Sequence, residues 1–240
     1  MIDDKRILAI IPARGGSRSI PFKNLALLGG DPLILHAFRS ASNSSYLDDI
    51  MLSTDSEQIA VTARKLGIPI PFRRPPELAR DDTPMKPVIR NALIEMERIK
   101  NAVFDIVALL QPTSPLRTAR HIDEAIGIFV EKEADSVVSV IKVPHHFTPN
   151  SLMQSGPEGR LTPLEGLDKN LVLRRQDKPA LFARNGPAVL ILSRDVVIHE
   201  RPFYTRNTYP YFMSPEDSVD IDTPFDLEIA EFLVRKRQEA

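Results

Sequence analysis

Short apolar segments recur along the chain, and the first of them constrains the fold more than any other feature. Residues 7–11 carry no polar side chain at any position. A strand that is covered by helices on both faces of a parallel sheet has this pattern, whereas a strand with one exposed face alternates between apolar and polar residues. The other candidate strands are residues 50–53, 104–110, 136–143 and 189–192.

Segments with helical periodicity separate these candidate strands. The predicted helix starts share a capping side chain or a proline in the first turn, where a helix tolerates it. They are Thr83-Pro84, Thr118, Thr223-Pro224 and Asp31-Pro32. Strands that alternate with helices predict an α/β fold with a doubly wound sheet. In such a sheet the binding crevice lies beyond the carboxyl ends of the strands, where the strand order reverses.

The composition excludes several classes of function. The 31 basic and 32 acidic side chains nearly cancel, so the chain lacks the broad positive field that nucleic acid or an anionic membrane requires. There is no cysteine, which excludes disulfides, thiolate metal sites and a cysteine nucleophile. The first apolar stretch ends at Pro12 and is too short for a signal core or a membrane span. We therefore expect a globular cytoplasmic protein with neither nucleic acid nor membrane as a partner.

One long stretch, residues 144–184, breaks the alternation of strands and helices. It is rich in proline, glycine and charged residues and has no clear periodicity. A loop of this length without structure of its own is uncommon in a compact domain and is usually functional. We interpret it as a dimerisation arm that protrudes from a single domain spanning residues 1–240 and packs on a second subunit. The alternative is a surface loop.

The loop after the first candidate strand has the composition of a polyphosphate site. Gly15 and Gly16 allow backbone amides to approach an anion, and Arg14, Arg18 and Lys23 accompany them. The loop is not a P-loop, because no Gly-Lys-Ser/Thr closes it. It is not the dinucleotide fingerprint either, because its glycines are adjacent. A generic glycine-rich turn is the alternative.

A pair of acidic residues near the end of the chain suits a metal ion. Asp220 and Asp222 flank Ile221, and on an extended strand this spacing places both carboxylates on one face. Mg²⁺ in nucleotide sites takes one or two carboxylates together with substrate phosphates. The alternative is that Asp222 only helps to cap the helix that opens at Pro224.

Residues 10–24, Ile-Ile-Pro-Ala-Arg-Gly-Gly-Ser-Arg-Ser-Ile-Pro-Phe-Lys-Asn, resemble the opening signature of the acylneuraminate cytidylyltransferases. These enzymes make CMP-activated sialic, legionaminic and pseudaminic acids. Further blocks resemble the family in the same order, at residues 52–56, 74–79, 81–83, 110–117 and 220–224. The sequence departs from the family at Arg18 and Phe22, where lysine and a basic residue are frequent. The resemblance covers nearly the whole chain.

The resemblance implies a Rossmann-like nucleotidyltransferase sheet, CTP as the nucleotide, and specific site residues. It assigns Arg14, Gly15, Ser17 and Lys23 to the triphosphate, Asn24 to the ribose, and Arg74 and Thr83 to the cytosine. It assigns Gln111, Ser114, Arg175 and Gln176 to the sugar acid. It places Mg²⁺ or Mn²⁺ on Asp220 and Asp222, which with Arg14 and Lys23 form the predicted catalytic set.

Three of these sugar-site predictions have alternatives in the residues themselves. Gln111 follows a candidate strand at its carboxyl end, and its alternative role is to stabilise the turn beside Pro112. Arg175 and Gln176 can contact the sugar carboxylate across a subunit interface, or belong to a solvated run of charges. Arg117 shares the loop of Gln111, and its planar guanidinium suits a carboxylate partner.

The expected reaction is attack by the anomeric hydroxyl of a nine-carbon 2-keto sugar acid on the α-phosphate of CTP, with release of pyrophosphate. A nucleotidyltransferase acting on Kdo or on a sugar phosphate is one alternative. A non-catalytic nucleotide-binding protein on the same fold is another, and it should lack part of the predicted catalytic set. Arg14, Lys23, Asp220 and Asp222 are all present. We also expect a homodimer.

Overall fold

The computed structural model describes residues 2, 4–16, 19–164 and 180–239. The strands in chain order are β1 Ile7–Pro12, β2 Leu27–Leu28, β3 Asp31–Pro32, β4 Asp49–Ser53, β5 Ile106–Leu109, β6 Ser136–Lys142, β7 Met153–Ser155, β8 Leu161–Pro163, β9 Phe182–Arg184, β10 Leu190–Ser193 and β11 Thr208–Phe212. The α-helices are α1 Leu33–Ser42, α2 Glu57–Lys65, α3 Met85–Lys100, α4 Ala119–Glu131, α5 Arg194–Ile198 and α6 Pro224–Gln238.

The central sheet has the strand order β11-β6-β10-β5-β1-β4, and β9 pairs with β6 beside this path. Strand β1 is parallel to both of its neighbours, β4 and β5, so the chain leaves β1 toward one side and later returns on the other. The strand order therefore reverses at β1. This arrangement confirms the predicted doubly wound α/β fold and locates the crevice at the carboxyl ends of β1 and β5.

Two helical layers cover the sheet, which explains the continuous apolar run of β1. Ile7 and Ile11 belong to the core cluster beneath α1, α2 and α4. Leu8 and Ile10 belong to the cluster on the other face, beneath α3 and α5. Because successive side chains of a strand point to opposite faces, burial on both faces requires every position to be apolar.

Each of the five predicted strands is present, and the structure adds an edge strand that the sequence did not predict. Strand β11 is parallel to β6 at the end of the sheet, where Pro210 stands opposite Val138. Proline lacks the amide that a central strand needs and is tolerated at an edge. Its presence in the segment therefore conceals the strand from a pattern search.

The predicted helix starts are mostly confirmed in position, but not every predicted capping residue caps its helix. Thr223 caps α6, since its hydroxyl accepts from the Asp226 amide. Prediction of a Thr83 cap is wrong, because α3 begins after Pro84 and the Thr83 hydroxyl donates to the Glu77 carbonyl at 3.3 Å. Helix α1 begins directly after residues 31–32, which form β3 and provide no side-chain cap.

The described parts of residues 144–184 leave the sheet and return to it. Strands β7 and β8 form a separate antiparallel hairpin, and β9 pairs antiparallel with β6. Strand β10 then runs antiparallel to β5 and β6, in the same direction as β9. Exposed apolar side chains on the excursion include Phe147, Met153 and Leu161. Its role in dimerisation stays a prediction.

Candidate active site

A cleft of about 480 Å³ lies at the carboxyl ends of β1 and β5. It brings together predicted residues from distant parts of the chain. Those that line it are Arg14, Lys23, Asn24, Arg74, Gln111, Asp220 and Asp222. The lining also includes residues that the sequence did not single out, among them Met85, Thr113 and Gly186.

The loop after β1 and the acidic pair near the end of the chain meet directly in this cleft. Lys23 Nζ lies 2.8 Å from Asp222 Oδ1, although the two residues are 199 positions apart. The Ser19 hydroxyl donates to the Asp222 carbonyl. The Lys23 side chain is only 15% exposed, whereas that of Asp222 is 72% exposed. The ammonium is therefore held within the site while the carboxylate faces solvent.

Arg14 lies at the rim of the cleft and is bound to a segment before α3. Its Nη1 donates to Asp81 Oδ1 at 2.7 Å and to the Arg80 carbonyl at 3.3 Å. Both side chains of the ion pair are partly exposed, at 34% for Arg14 and 48% for Asp81. The sequence did not predict this partner, although Asp81 belongs to one of the blocks that carried the family resemblance.

Gly15 and Gly16 have different roles in the loop. The Gly15 amide donates to Asp55 Oδ1 at 3.0 Å, so in this structure it is directed at a side chain and not at the cleft. A Cβ at Gly15 would lie 2.8 Å from Ser56 Cβ, which leaves no room for a side chain. Gly16 lines the cleft. The close approach of the loop to the turn after β4 is therefore what requires glycine at position 15.

Arg74 is the buried cation of the site, with 5% of its surface exposed. Its Nε donates to the Ser53 hydroxyl at 3.0 Å and its Nη2 to the Ser53 carbonyl at 2.7 Å. Burial lowers the pKa of Arg74 to about 10; the nearby Asp55 opposes this change and Arg14 adds to it. The guanidinium stays protonated at neutral pH and faces the cleft from a fixed position.

Asn24 fixes the backbone of the loop. It is buried, and its Nδ2 donates to the Arg14 carbonyl at 3.0 Å. The amide therefore closes the loop on itself at the wall of the cleft. Its predicted contact with a ribose is not tested by this geometry.

Asp220 is the half-buried member of the acidic pair, whereas Asp222 is exposed. Burial raises its pKa above the usual range, and the charge of Asp222 raises it further. Hydrogen bonds from Thr113 and Ser114 and the charge of Lys23 act in the opposite direction. A carboxylate whose charge is not fully compensated favours a cation beside it.

Ser114 and Gly186 both pack close to Asp220. Ser114 is fully buried and does not line the cleft; its Oγ donates to Asp220 Oδ1 at 3.5 Å. A Cβ at Gly186 would lie 3.1 Å from Ser114 Oγ and 3.4 Å from Asp220 Cγ. In this structure Ser114 contacts a candidate metal ligand, and its contact with the sugar stays a prediction.

The donor chemistry of the acidic pair fits a hard divalent cation. Asp220 and Asp222 supply carboxylate oxygens to the cleft, the ligand type that Mg²⁺ and Mn²⁺ prefer. Among the residues that the structure describes, no cluster of three or more histidine, aspartate or glutamate side chains is placed to hold a metal. Mg²⁺ bound by one or two carboxylates commonly completes its coordination with water and substrate phosphates.

The loop after β5 provides both a cleft residue and a structural one. Gln111 lines the cleft, and its Nε2 donates to the Gly186 carbonyl at 3.3 Å. Arg117 lies outside the cleft and is 3% exposed. Its guanidinium donates to the carbonyls of Gln111 and Ala188 and to Ser40 Oγ, and no carboxylate pairs with it among the described residues. Burial lowers the pKa of Arg117 to about 9.

Six predicted site residues are not among the described residues that line the cleft, and two of them are Gly15, which bonds to Asp55, and Ser114, which bonds to Asp220. Thr83 is held by its bond to the Glu77 carbonyl and does not line the cleft. Ser17, Arg175 and Gln176 lie outside the described residues.

The chain matches the family model described as Cytidylyltransferase over residues 8–239. The chain belongs to the cytidylyltransferase family. This assignment confirms the resemblance found in the sequence. It also identifies the protein as a member of a transferase family.

Two relatives and one solved structure illustrate the match. The chain is 37% identical over 236 residues to the CMP-N,N'-diacetyllegionaminic acid synthase of Legionella pneumophila, covering 98% of this chain and 99% of that protein. It is 37% identical over 221 residues to an N-acylneuraminate cytidylyltransferase of Streptococcus agalactiae, covering 91% of this chain and 51% of that protein. The chain therefore spans about half the length of the streptococcal relative.

A solved structure titled CMP:2-keto-3-deoxy-manno-octonic acid synthetase complexed with CTP has a TM-score of 0.68 and 16% identity, covering 98% of this chain and all of that one. At this level of identity the likeness establishes a common fold. Within the described part of the chain, no helix combines the length and the apolar character needed to span a membrane.

Proposed function

We propose that the protein transfers CMP from CTP to the anomeric hydroxyl of a nine-carbon 2-keto sugar acid and releases pyrophosphate. The observation that carries this proposal is the contact between Lys23 and Asp222, because it joins the predicted triphosphate loop to the predicted metal pair. The names of the relatives at 37% identity, a CMP-diacetyllegionaminic acid synthase and an N-acylneuraminate cytidylyltransferase, indicate the class of sugar.

The cations of the cleft would stabilise the departing pyrophosphate. In the proposed step a bond forms between the anomeric oxygen and the α-phosphorus, and the bond from that phosphorus to the bridging oxygen of pyrophosphate breaks. Negative charge develops on the leaving group. Arg14 and Lys23 line the cleft and supply positive charge against it.

Asp220 and Asp222 would hold Mg²⁺ or Mn²⁺. A bound divalent cation neutralises phosphate charge and orients the triphosphate. Among the described residues that line the cleft, Asp220 and Asp222 are the carboxylates. One of them can receive the proton of the attacking hydroxyl. Gln111 offers its amide to the sugar acid, and its bond to the Gly186 carbonyl fixes the direction of the side chain.

Pyrophosphate release tests this proposal against its rivals. CTP, UTP, GTP and ATP are supplied in turn with Mg²⁺ and with sialic, legionaminic and pseudaminic acids, Kdo, or a sugar phosphate. The expected result is release that requires CTP and a nine-carbon acid and is lost in the Asp222→Asn variant. Release with Kdo or a sugar phosphate alone would favour another sugar nucleotidyltransferase, and nucleotide binding without release would favour a non-catalytic protein.

The assembly and the location of the protein are part of the same proposal. The hairpin of β7 and β8 exposes Met153 and Leu161, which supports packing of the arm on a second copy. Light scattering under native conditions is expected to give a homodimer, and a monomer would contradict it. The absence of cysteine favours the cytoplasm, and fractionation of expressing cells should recover the activity there.

A further inference from the structure

The ion pair between Arg14 and Asp81 involves a cation that the proposed function needs for another purpose. Arg14 lines the cleft where the triphosphate is expected, yet its Nη1 is directed at Asp81 Oδ1 and the Arg80 carbonyl, at 2.7 and 3.3 Å. A carboxylate and a phosphate both bind a guanidinium through oxygen acceptors in the same plane. One N–H group cannot donate fully to both.

Asp81 also lies against the phosphate loop itself. Its Oδ1 is 3.8 Å from the place where a Cβ would stand on Gly16, the glycine that lines the cleft. The negative charge of Asp81 thus lies beside the loop backbone that the anion would approach. At this position it repels an incoming anion.

The exposure of this pair makes it exchangeable. The Arg14 and Asp81 side chains are 34% and 48% exposed, so water screens their attraction and can solvate the carboxylate after release. The contrast with Arg74, which is buried and bonded to Ser53, is clear. Arg14 can change partners at low cost, whereas Arg74 cannot.

We propose that Asp81 competes with the nucleotide polyphosphate for Arg14, so that displacement of this carboxylate is a step of nucleotide binding and sets its affinity. The inference rests on the proposed function, since it takes the triphosphate to bind at Arg14. It adds an affinity-determining residue that opposes binding. Neutralising an acid at this position therefore tightens binding of a polyanion.

The Asp81→Asn variant tests the competition, with Asp82→Asn as the matched control. Asp82 is the adjacent residue and is also exposed, so its replacement removes the same charge at nearly the same place. Inorganic tripolyphosphate and CTP are titrated calorimetrically into the wild type and both variants at low and high salt. The thermal unfolding midpoint of each protein verifies that it is folded.

We expect Asp81→Asn to bind tripolyphosphate and CTP about two- to fivefold more tightly than Asp82→Asn, the range that corresponds to losing one exposed ion pair. The difference should shrink at high salt, because screening weakens the competing pair. Equal binding by the two variants, or weaker binding by Asp81→Asn, would overturn the inference; weaker binding would mean that Asp81 positions Arg14.

The two probes separate this inference from the proposed function. If the wild type binds tripolyphosphate but not CTP, the proposed function fails, while the tripolyphosphate titrations still decide the competition. If the wild type binds CTP and the two variants bind it equally, only the competition fails. If the wild type binds neither compound, both are overturned.

Discussion

The two loops that border the cleft carry arginines of opposite character. Arg14 follows β1, is one-third exposed and pairs with the exposed Asp81. Arg117 follows β5, is almost fully buried and donates to the carbonyls of Gln111 and Ala188. A buried carbonyl that loses its donor is costly, so Arg117 cannot be diverted to a ligand. The comparison teaches that exposure and the type of partner distinguish Arg14, which can serve a substrate, from Arg117, which holds the scaffold.

The largest effect should come from the cation that joins the two halves of the cleft. We expect Lys23→Met to lower kcat for pyrophosphate release by about 100- to 1000-fold, because a fixed charge near the leaving group is lost. The thermal midpoint should change little, because the partner carboxylate of Asp222 is already mostly exposed. Lys132, which pairs with Glu131 at 2.6 Å far from the cleft, supplies the control Lys132→Met, with kcat unchanged.

Asp220→Asn should separate activity from stability. Burial raises the pKa of Asp220 in the folded protein above its ordinary value, so the ionised carboxylate is less favourable in the fold than in the unfolded chain. At neutral pH its charge therefore costs stability, and the neutral amide removes that cost. We expect kcat to fall about 100-fold through loss of a metal ligand, with a thermal midpoint that is unchanged or higher.

A nearby aspartate provides the opposite case. Asp217 accepts from Arg237 at 2.5 Å and from the Ser214 hydroxyl at 2.7 Å, so its charge is compensated. Asp217→Asn should lower the thermal midpoint, because it weakens partly buried contacts with Arg237 and His121. It should leave kcat within about twofold of the wild type, because Asp217 does not line the cleft. If Asp220→Asn destabilised the protein as Asp217→Asn does, the account of its burial would be wrong.

Arg117→Met should lower stability with little effect on kcat, the opposite of the result expected for Lys23→Met. Loss of the guanidinium removes the donor to the buried Ala188 carbonyl and one of the two donors to the Gln111 carbonyl, and we expect the free energy of unfolding to fall by about 2 kcal/mol. The folded fraction should keep most of its kcat. Urea denaturation measures the first quantity. Arg39→Met is the control, because Arg39 pairs with Asp31 at the surface and should contribute less than about 1 kcal/mol.

The smallest expected effect is the tighter polyphosphate binding of Asp81→Asn. It concerns the other arginine of the comparison and has the opposite sign, because removing the partner of an exposed cation makes the cation available. An increase in affinity at Arg14 together with a loss of stability at Arg117 would establish the distinction between the two loops.

The central strands could be predicted from the sequence because they are buried on both faces, so that successive positions are apolar. It did not predict β11, since Pro210 is acceptable only at an edge and a single segment does not reveal its place in the sheet. The Thr83 cap failed for a related reason. A hydroxyl before a proline is one local signal, and here the Thr83 hydroxyl donates instead to the Glu77 carbonyl, six residues earlier in the same loop.

The sequence predicted most of the residues of the candidate site, but few of the contacts between them. Lys23 and Asp222 were each predicted, but their meeting depends on the path of nearly the whole chain. Asp55 and Asp81 both bind the loop after β1, yet neither was assigned a role. Both lie in blocks that resembled the family, and no local pattern tells which loop a carboxylate will contact.

Transfer of an isotopic label tests the central claim most directly. A 2-keto sugar acid labelled with ¹⁸O at the anomeric hydroxyl is incubated with CTP, Mg²⁺ and the protein, and the products are examined by mass spectrometry and ³¹P NMR. The account predicts that the label bridges carbon and phosphorus in the CMP-sugar, with unlabelled pyrophosphate. Label in the pyrophosphate, or a CMP-sugar without label, would contradict attack by the anomeric hydroxyl on the α-phosphate.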